Sequence, residues 1–204
     1  TQKITDNGVE STTTTTVFGA FGTPIPAKPT SVTVSYLRSG NPAYSVTSTY
    51  AYNATGQLTS KTDFSGQPQN VVTTYTYNNL GNQTGTTVTP SGMPARSGSS
   101  AYDTKGRYPL TITNALGQTA SATYDPKWGK ALSETGIDGL TTSYNYDAFG
   151  RLQTTTMPQG WTITQTYAWG INPGEGTIHY LLTSHPGKPD TKLWYDLLDR
   201  VKKT

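Results

Sequence analysis

The 204-residue chain has no cysteine, two histidines and 13% charged residues. Without cysteine it can form no disulfide and offers no thiolate for catalysis or metal binding, although the redox compartment stays open. No apolar run approaches the roughly 20 residues of a transmembrane helix, and the first residues lack the charged-then-apolar layout of a signal peptide. The sequence therefore predicts no membrane insertion.

Charge and histidine are too sparse to indicate an ionic ligand. The net charge is +3, and Lys202 and Lys203 are the only adjacent basic pair. Phosphate binding needs clustered Lys and Arg, so nucleic acid is not an expected partner. His179 and His185 lie six residues apart in a loop-rich region, which predicts surface histidines rather than a metal site. No cofactor is predicted.

The composition favours β-structure with modest burial. Apolar residues make up 32% of the chain, yet it contains 14 tyrosines and 4 tryptophans, together with abundant threonine. Disordered chains are poor in aromatic and β-branched residues and rich in charge, which is the reverse of this composition. Threonine and aromatic residues are typical of strands. We therefore expect an ordered, all-β fold.

A motif of tyrosine, Asp or Asn, and glycine recurs along the chain. In Asp-x-x-Gly the side-chain oxygen accepts backbone N–H bonds at the start of a turn, and glycine takes the left-handed conformation that closes the hairpin. A last copy begins at Tyr195-Asp196, with Asp199 in place of glycine. The complete copies are Tyr52-Asn53-x-x-Gly56, Tyr77-Asn78-x-x-Gly81, Tyr102-Asp103-x-x-Gly106, Tyr124-Asp125 with Gly129, and Tyr146-Asp147-x-x-Gly150.

A second set of glycine turns alternates with the first, at Gly66, Gly92, Gly117, Gly139 and Gly160. The spacing leaves about six or seven residues per strand, close to the commonest strand length. The sequence thus predicts tandem antiparallel β-hairpins. If equivalent tyrosines are near neighbours, their rings should stack into a ladder. Arg107, Arg151 and Arg200, each directly after a turn, should pair with the turn aspartate or cover a tyrosine ring.

The motif is interpreted as structural rather than catalytic, because no copy differs from the others in a way that suggests chemistry. No Gly-x-Ser-x-Gly elbow occurs. The turn aspartates are explained by capping, which leaves Glu134 and Asp138 as the least explained acids for a carboxylate pair. We expect the chain not to be an enzyme, with no catalytic residue and no bound cofactor.

Two regions are expected. Residues 1–30 lack the motif and read as an irregular N-terminal segment or cap, with a strand at "STTTTT" followed by a Pro-rich connection. Residues 31–204 form the repeat region, regular over 44–160 and irregular over 161–204. The chain stops as its last copy begins a return strand, so we expect a fragment of a longer protein.

The repeated unit resembles the YD, or Rhs, repeat. The similarity is carried by "YNYDAFGRLQTTTMPQG" (144–160) and "AYDTKGRYPLTITNALG" (101–117), and it is strong over 44–160. Bacterial Rhs proteins, the C components of insecticidal toxin complexes and teneurins build a curved, spiralling sheet from such repeats. The resemblance implies a piece of β-shell in a secreted or cell-surface polymorphic toxin. Its partners would be further repeats and an enclosed C-terminal toxin or effector of the same chain.

Binding at a cell surface is the alternative. Exposed tryptophan and tyrosine on a polar sheet are suited to stacking on sugar rings, as in an adhesin or a carbohydrate-binding module. The four candidates for glycan stacking are Trp128, Trp161, Trp169 and Trp194. They could equally cover gaps where the repeat is irregular. Glycan-array screening with Trp→Ala variants would separate the two functions.

Overall fold

The computed structural model describes residues 2–6, 10–20, 27–38, 40–172, 174 and 176–203. In these ranges the chain forms β-strands joined by turns and irregular connections. None of the described segments is a helix that could cross a membrane. The predicted all-β fold class is confirmed, and the two compact units of the chain are considered in turn.

The first unit comprises Thr1–Ala101 and Ile112–Gly117. Consecutive strands of this unit pair antiparallel, as tandem hairpins require. Most of β8 (Arg96–Tyr102) belongs to it, and β9 (Pro109–Thr113) has residues in both units. The other strands are β1 (Gln2–Asp6), β2 (Glu10–Gly19), β3 (Lys28–Arg38), β4 (Tyr44–Tyr52), β5 (Leu58–Asp63), β6 (Val71–Tyr77) and β7 (Gln83–Pro90).

The second unit comprises Tyr102–Thr111 and Gln118–Thr204. Its strands also pair antiparallel in chain order. They are β10 (Thr119–Tyr124), β11 (Ala131–Thr135), β12 (Thr141–Tyr146), β13 (Leu152–Thr156), β14 (Thr162–Trp169), β15 (His179–Ser184), β16 (Thr191–Tyr195) and β17 (Val201–Lys203).

The two faces of the second unit's sheet differ in chemistry, because side chains alternate along each strand. Opposite pairs on one face carry hydroxyls that bond across the strands, with oxygen–oxygen distances of 2.7 Å for Thr123–Ser133 and 2.8 Å for Thr135–Thr141. We call this side the hydroxyl face. The other side, the tyrosine face, carries Tyr124, Tyr144, Tyr146, Tyr167 and Tyr195.

Among the described residues no apolar side chain is buried, and the buried polar ones are Thr177 and Asp196. A single sheet of this kind has solvent on both faces, so apolar burial contributes little to its stability. Ladder hydrogen bonds and contacts between neighbouring hairpins must hold it together, as in other repeat proteins. The contacts between hairpins are therefore central to the stability of the sheet.

The predicted division between residues 30 and 31 stays a prediction. It falls inside β3, whose residues pair with both β2 and β4. The strand expected at "STTTTT" lies within β2. The Pro-rich connection expected at 18–29 is corrected at its ends, because 18–19 belong to β2 and 28–29 to β3, while 21–26 lie outside the described residues. In the region 161–204 the antiparallel pairing continues through β14, β15, β16 and β17.

Candidate functional site

The turn between β12 and β13 shows how one copy of the motif closes a hairpin. Gly150 has φ 78°, and its N–H donates to the Asp147 carbonyl at 2.9 Å. Asp147 Oδ1 accepts N–H bonds from Phe149 at 2.9 Å and from Arg151 at 2.8 Å. The strand register shifts between Asn145 and Tyr146, which is the bulge expected beside such a turn.

The same geometry recurs at each copy. The side-chain oxygen of the Asp or Asn accepts backbone N–H bonds from the residues two and four on. At Asp103 the donors are four and five residues on, and at Asp125 they are two and three residues on. The residue at the glycine position has positive φ throughout, including Asp199 at 56°. The turns start at Asn53, Asn78, Asp103, Asp125, Asp147 and Asp196, and their glycines are Gly56, Gly81, Gly106, Gly129 and Gly150.

Three arginines clamp the turn carboxylates. Nε of Arg151 lies 2.7 Å from Asp147 Oδ2, and the corresponding distance from Arg107 to Asp103 is 3.4 Å. The Arg151 guanidinium also lies over the Tyr167 ring, 4.5 Å from its centroid. Both predicted roles of these arginines are confirmed, because one side chain pairs with its own turn and covers the next repeat.

Hydrogen bonding lowers the pKa of three turn carboxyls, those of Asp103, Asp147 and Asp196. At buried Asp196 the Arg200 side chain, whose Nε donates at 2.8 Å, lowers the pKa to about 2 against desolvation that raises it. At Asp147 desolvation raises the pKa, but hydrogen bonds from Arg151 and Phe149 outweigh it and bring the pKa below its ordinary value. These carboxyls are held ionised as structural acceptors, which is not the state of a general acid.

The expected tyrosine ladder is corrected by the strand order. Tyr52 and Tyr77 end β4 and β6, which β5 separates, so they lie two strand spacings or about 9–10 Å apart. Tyr77 and Tyr146 bond backbone carbonyls instead. Tyr77 Oη donates to the Leu58 carbonyl at 2.8 Å, and Tyr146 Oη donates to the Ala131 carbonyl at 2.7 Å. Each hydroxyl joins its hairpin to the return strand of the preceding hairpin.

Neighbouring YD turns also contact one another directly. Gln57 Nε2 donates to the Gly81 carbonyl at 3.1 Å, and Lys130 Nζ donates to the Gly150 carbonyl at 2.5 Å. Trp128 packs so closely under Gly150 that a Cβ there would lie 2.6 Å from Trp128 Cδ2. The turn glycine thus supplies both the left-handed backbone and room for the preceding repeat.

The four tryptophans do not form one surface. Trp128 is 38% exposed and packs under a turn, with Lys127 Nζ 4.4 Å from its ring. Trp194 is half-buried against Tyr180 and Lys192, so the expectation that it is exposed is corrected. Trp161 is 41% exposed beside His185, Pro186 and Lys188, and Trp169 is 80% exposed.

The remaining acids have ordinary partners. Glu134 Oε2 accepts from Tyr144 Oη at 2.9 Å, and Asp138 Oδ1 accepts from the Leu140 N–H at 3.0 Å. Within the described ranges, no three His, Cys, Asp or Glu side chains converge as metal ligands. The two acids considered for a carboxylate pair are therefore hydrogen-bonded, Glu134 to the neighbouring strand and Asp138 within its own turn.

One copy of the repeat departs from the pattern, and sequence reasoning missed its consequence. Aligned with Tyr144-Asn145-Tyr146-Asp147, the segment 167–170 reads Tyr-Ala-Trp-Gly, and nine residues separate β14 from β15, compared with five between β12 and β13. The gap forms a cleft of about 250 Å³ lined by Arg151, Tyr167, Ala168, Trp169, His179 and Asp199. The signal available was the replacement of the second tyrosine and the turn aspartate at 169 and 170.

Within the cleft the side chains hold one another in place. The His179 ring stacks on Tyr195 with centroids 4.9 Å apart, and Trp169 meets His179 edge-on at 5.9 Å. His179 Nε2 lies 3.4 Å from Asp199 Oδ1, in a carboxylate that is 85% exposed. The cleft therefore combines an exposed indole, a guanidinium and an accessible carboxylate.

Comparisons with known proteins agree with this architecture. The RHS Repeat family profile matches residues 124–163, which contain two of the YD copies. No curated protein gives a significant match. The chain is similar in fold to the crystal structure of TcdB2-TccC3-TEV, with a TM-score of 0.55 and 15% identity over 94% of this chain and 10% of that one.

A second solved structure gives the same result. The crystal structure of TcdB2-TccC3-Cdc42 has a TM-score of 0.51 and 13% identity, covering 82% of this chain and 11% of that one. The present chain thus spans about a tenth of the length of these structures. The predicted resemblance to YD/Rhs repeats is thus confirmed: residues 124–163 match the repeat profile, and the chain is similar in fold to these structures.

Proposed function

We propose that this chain is a non-catalytic wall segment of a YD/Rhs-repeat shell, and that the parent protein is secreted and encloses its own C-terminal toxin or effector. The observation that carries the proposal is the absence of any buried apolar side chain among the described residues. A sheet without a core of its own suits a wall that separates an enclosed volume from solvent.

Contacts between hairpins support the same function. In each unit, a tyrosine hydroxyl and a side chain that follows a turn join one hairpin to the next. Such links depend on adjacent repeats only, so the array can be extended by adding hairpins. Further repeats of the parent chain are accordingly the first partners, and the enclosed polypeptide is the second.

Protease protection of the full-length parent protein tests the shell. The polypeptide encoded downstream of the repeats should resist digestion in the native full-length chain and should be digested when expressed alone, because the wall excludes the protease. Mass spectrometry of the fragments gives the readout. Equal digestion rates for the enclosed and the isolated polypeptide would contradict encapsulation.

Glycan binding is a second candidate function, and one observation favours it. Trp169 is 80% exposed and stands beside the cleft between two YD turns. Ligand pockets are concave and lined largely by apolar and aromatic side chains, which is the setting of Trp169. Binding in the cleft would place the function of this segment at the cell surface, and it does not require that the shell enclose anything.

A further inference from the structure

The variant copy at 167–179 has lost the contacts that make the second tyrosine structural. In the regular copy, Tyr146 is half-buried, donates its hydroxyl to the Ala131 carbonyl and lies near Lys130 Nζ. Trp169 takes the same place in its strand, but an indole carries no hydroxyl and most of the ring faces solvent. Leaving so large an apolar ring in water gains nothing for the fold.

A second departure lies across the cleft at Asp199. Five other YD turns place glycine at this point, and here an aspartate adopts φ 56°. The left-handed conformation is less favourable for aspartate than for glycine, which has no Cβ. In return the turn projects a carboxylate to within 3.4 Å of His179 Nε2. Backbone strain kept at a cleft is a reason to look for function there.

The chemistry of the cleft selects a neutral ligand. The Arg151 charge is already balanced by Asp147 at 2.7 Å, and the Asp199 carboxylate would repel a phosphate or a carboxylate. The Arg151 guanidinium in turn disfavours a bound cation. What remains is a ligand that is apolar on one side and rich in hydroxyls around its edge.

A sugar ring has those properties. Its C–H face can stack on the exposed indole of Trp169, while its hydroxyls donate to the Asp199 carboxylate and accept from the Arg151 guanidinium. The cavity of about 250 Å³ is smaller than the roughly 300–1,000 Å³ of sites for drug-sized ligands, which suits one ring of a chain.

We propose that the cleft between the turns at Asp147 and Asp196 binds one neutral sugar ring of a glycan, stacked on Trp169 and hydrogen-bonded to Asp199 and Arg151. This inference rests on the second candidate function and is independent of the shell. Trp161 serves as the matched control, because it is also an exposed tryptophan of the second unit but its cavity is lined by His185, Pro186 and Lys188.

The test is a titration of the chain with maltohexaose, cellohexaose and chitohexaose, followed by the indole N–H signals of the tryptophans in nitrogen–proton correlation spectra. At least one oligosaccharide should shift the Trp169 signal saturably. Trp169→Ala should abolish binding, and Trp161→Ala should leave it unchanged. Asp199→Gly restores the usual turn residue, so the hairpin should fold at least as well while affinity falls on the order of tenfold.

The outcomes separate the site from the function. If binding survives Trp169→Ala, or is lost equally in Trp161→Ala, the cleft is not the sugar-binding site. Glycan binding would then take place elsewhere on the sheet. If none of the three oligosaccharides shifts an indole N–H signal, both sugar binding in the cleft and the second candidate function are wrong. That result would favour a polypeptide as the ligand of Trp169. None of these results bears on protease protection of the enclosed polypeptide.

Discussion

Replacing Gly150 by alanine should destabilise its hairpin more than the same change at Gly139. Both glycines have left-handed backbone, with φ 78° and 76°, and both donate to the carbonyl three residues before them. A Cβ at Gly139 would meet nothing within 4 Å, whereas at Gly150 it would lie within 3.0 Å of three ring atoms of Trp128. The pair therefore isolates turn-to-turn packing from backbone strain.

The magnitudes follow from two separate effects. Left-handed backbone costs alanine about 1–2 kcal/mol at either position. Forcing a methyl group into the Trp128 ring adds about 1–3 kcal/mol, typical of overpacking. We thus expect a loss of about 1–2 kcal/mol for Gly139→Ala and about 2–5 kcal/mol for Gly150→Ala. In a Trp128→Ala background the cost of Gly150→Ala should fall to that of Gly139→Ala, a coupling that a double-mutant cycle measures.

Native-state hydrogen exchange is the appropriate assay, because repeat arrays open locally rather than in one transition. The amides of β12 and β13 report opening of the Gly150 hairpin, and each loss of about 1.4 kcal/mol lowers their protection tenfold. Equal effects of the two alanine substitutions would refute the packing role of Trp128. So would an undiminished cost of Gly150→Ala in the Trp128→Ala background.

Two further predictions concern hydrogen bonds of the turn edge. The pKa of Asp196 is lowered from its ordinary 3.8 to about 2. Its contribution to stability is therefore complete above the unfolded pKa and is lost as the pH falls from about 4 to 2. Exchange protection of β16 should drop in that pH window, and Asp196→Asn should flatten the drop. Tyr146→Phe removes the hydroxyl that bonds the Ala131 carbonyl at 2.7 Å and should cost about 0.5–1.5 kcal/mol, measured by exchange at β11 and β12. An unchanged acid profile in Asp196→Asn, or wild-type protection in Tyr146→Phe, would count against the respective bond.

The turns and their chemistry were predictable because they are local. An Asp-x-x-Gly spacing determines which N–H groups lie within reach of the carboxylate, and it requires positive φ at the glycine whatever surrounds it. The Arg151–Asp147 pair lies within the same short segment. Strand pairing followed in turn, since each tight turn brings the next strand back antiparallel beside the last.

Contacts between hairpins were not predictable in the same way. Equivalent tyrosines repeat every 22–25 residues in sequence, but one strand intervenes between them, and the choice of a carbonyl over a ring partner depends on that offset. The contact between Trp128 and Gly150 depends on how far consecutive turns are staggered, and this stagger cannot be read from the spacing of residues in the sequence. The half-buried state of Trp194 depends on Tyr180 across the strand pair and on Lys192 two residues earlier in the same strand.

A sheet whose described residues bury no apolar side chain differs from a globular core in which positions are sensitive to substitution. In a core, sensitivity to substitution follows burial, because each lost methylene is a lost apolar contact. Here the close-packed positions are the turn glycines against which the preceding repeat lies, such as Gly150 against Trp128 and Gly81 beside Gln57. Gly139 and Gly160 have similar positive φ but open surroundings, so only the left-handed backbone restricts substitution there. We therefore expect tolerance to substitution to depend on whether a turn contacts its neighbour. The sheet edge that carries the YD turns should tolerate substitutions less well than the opposite edge.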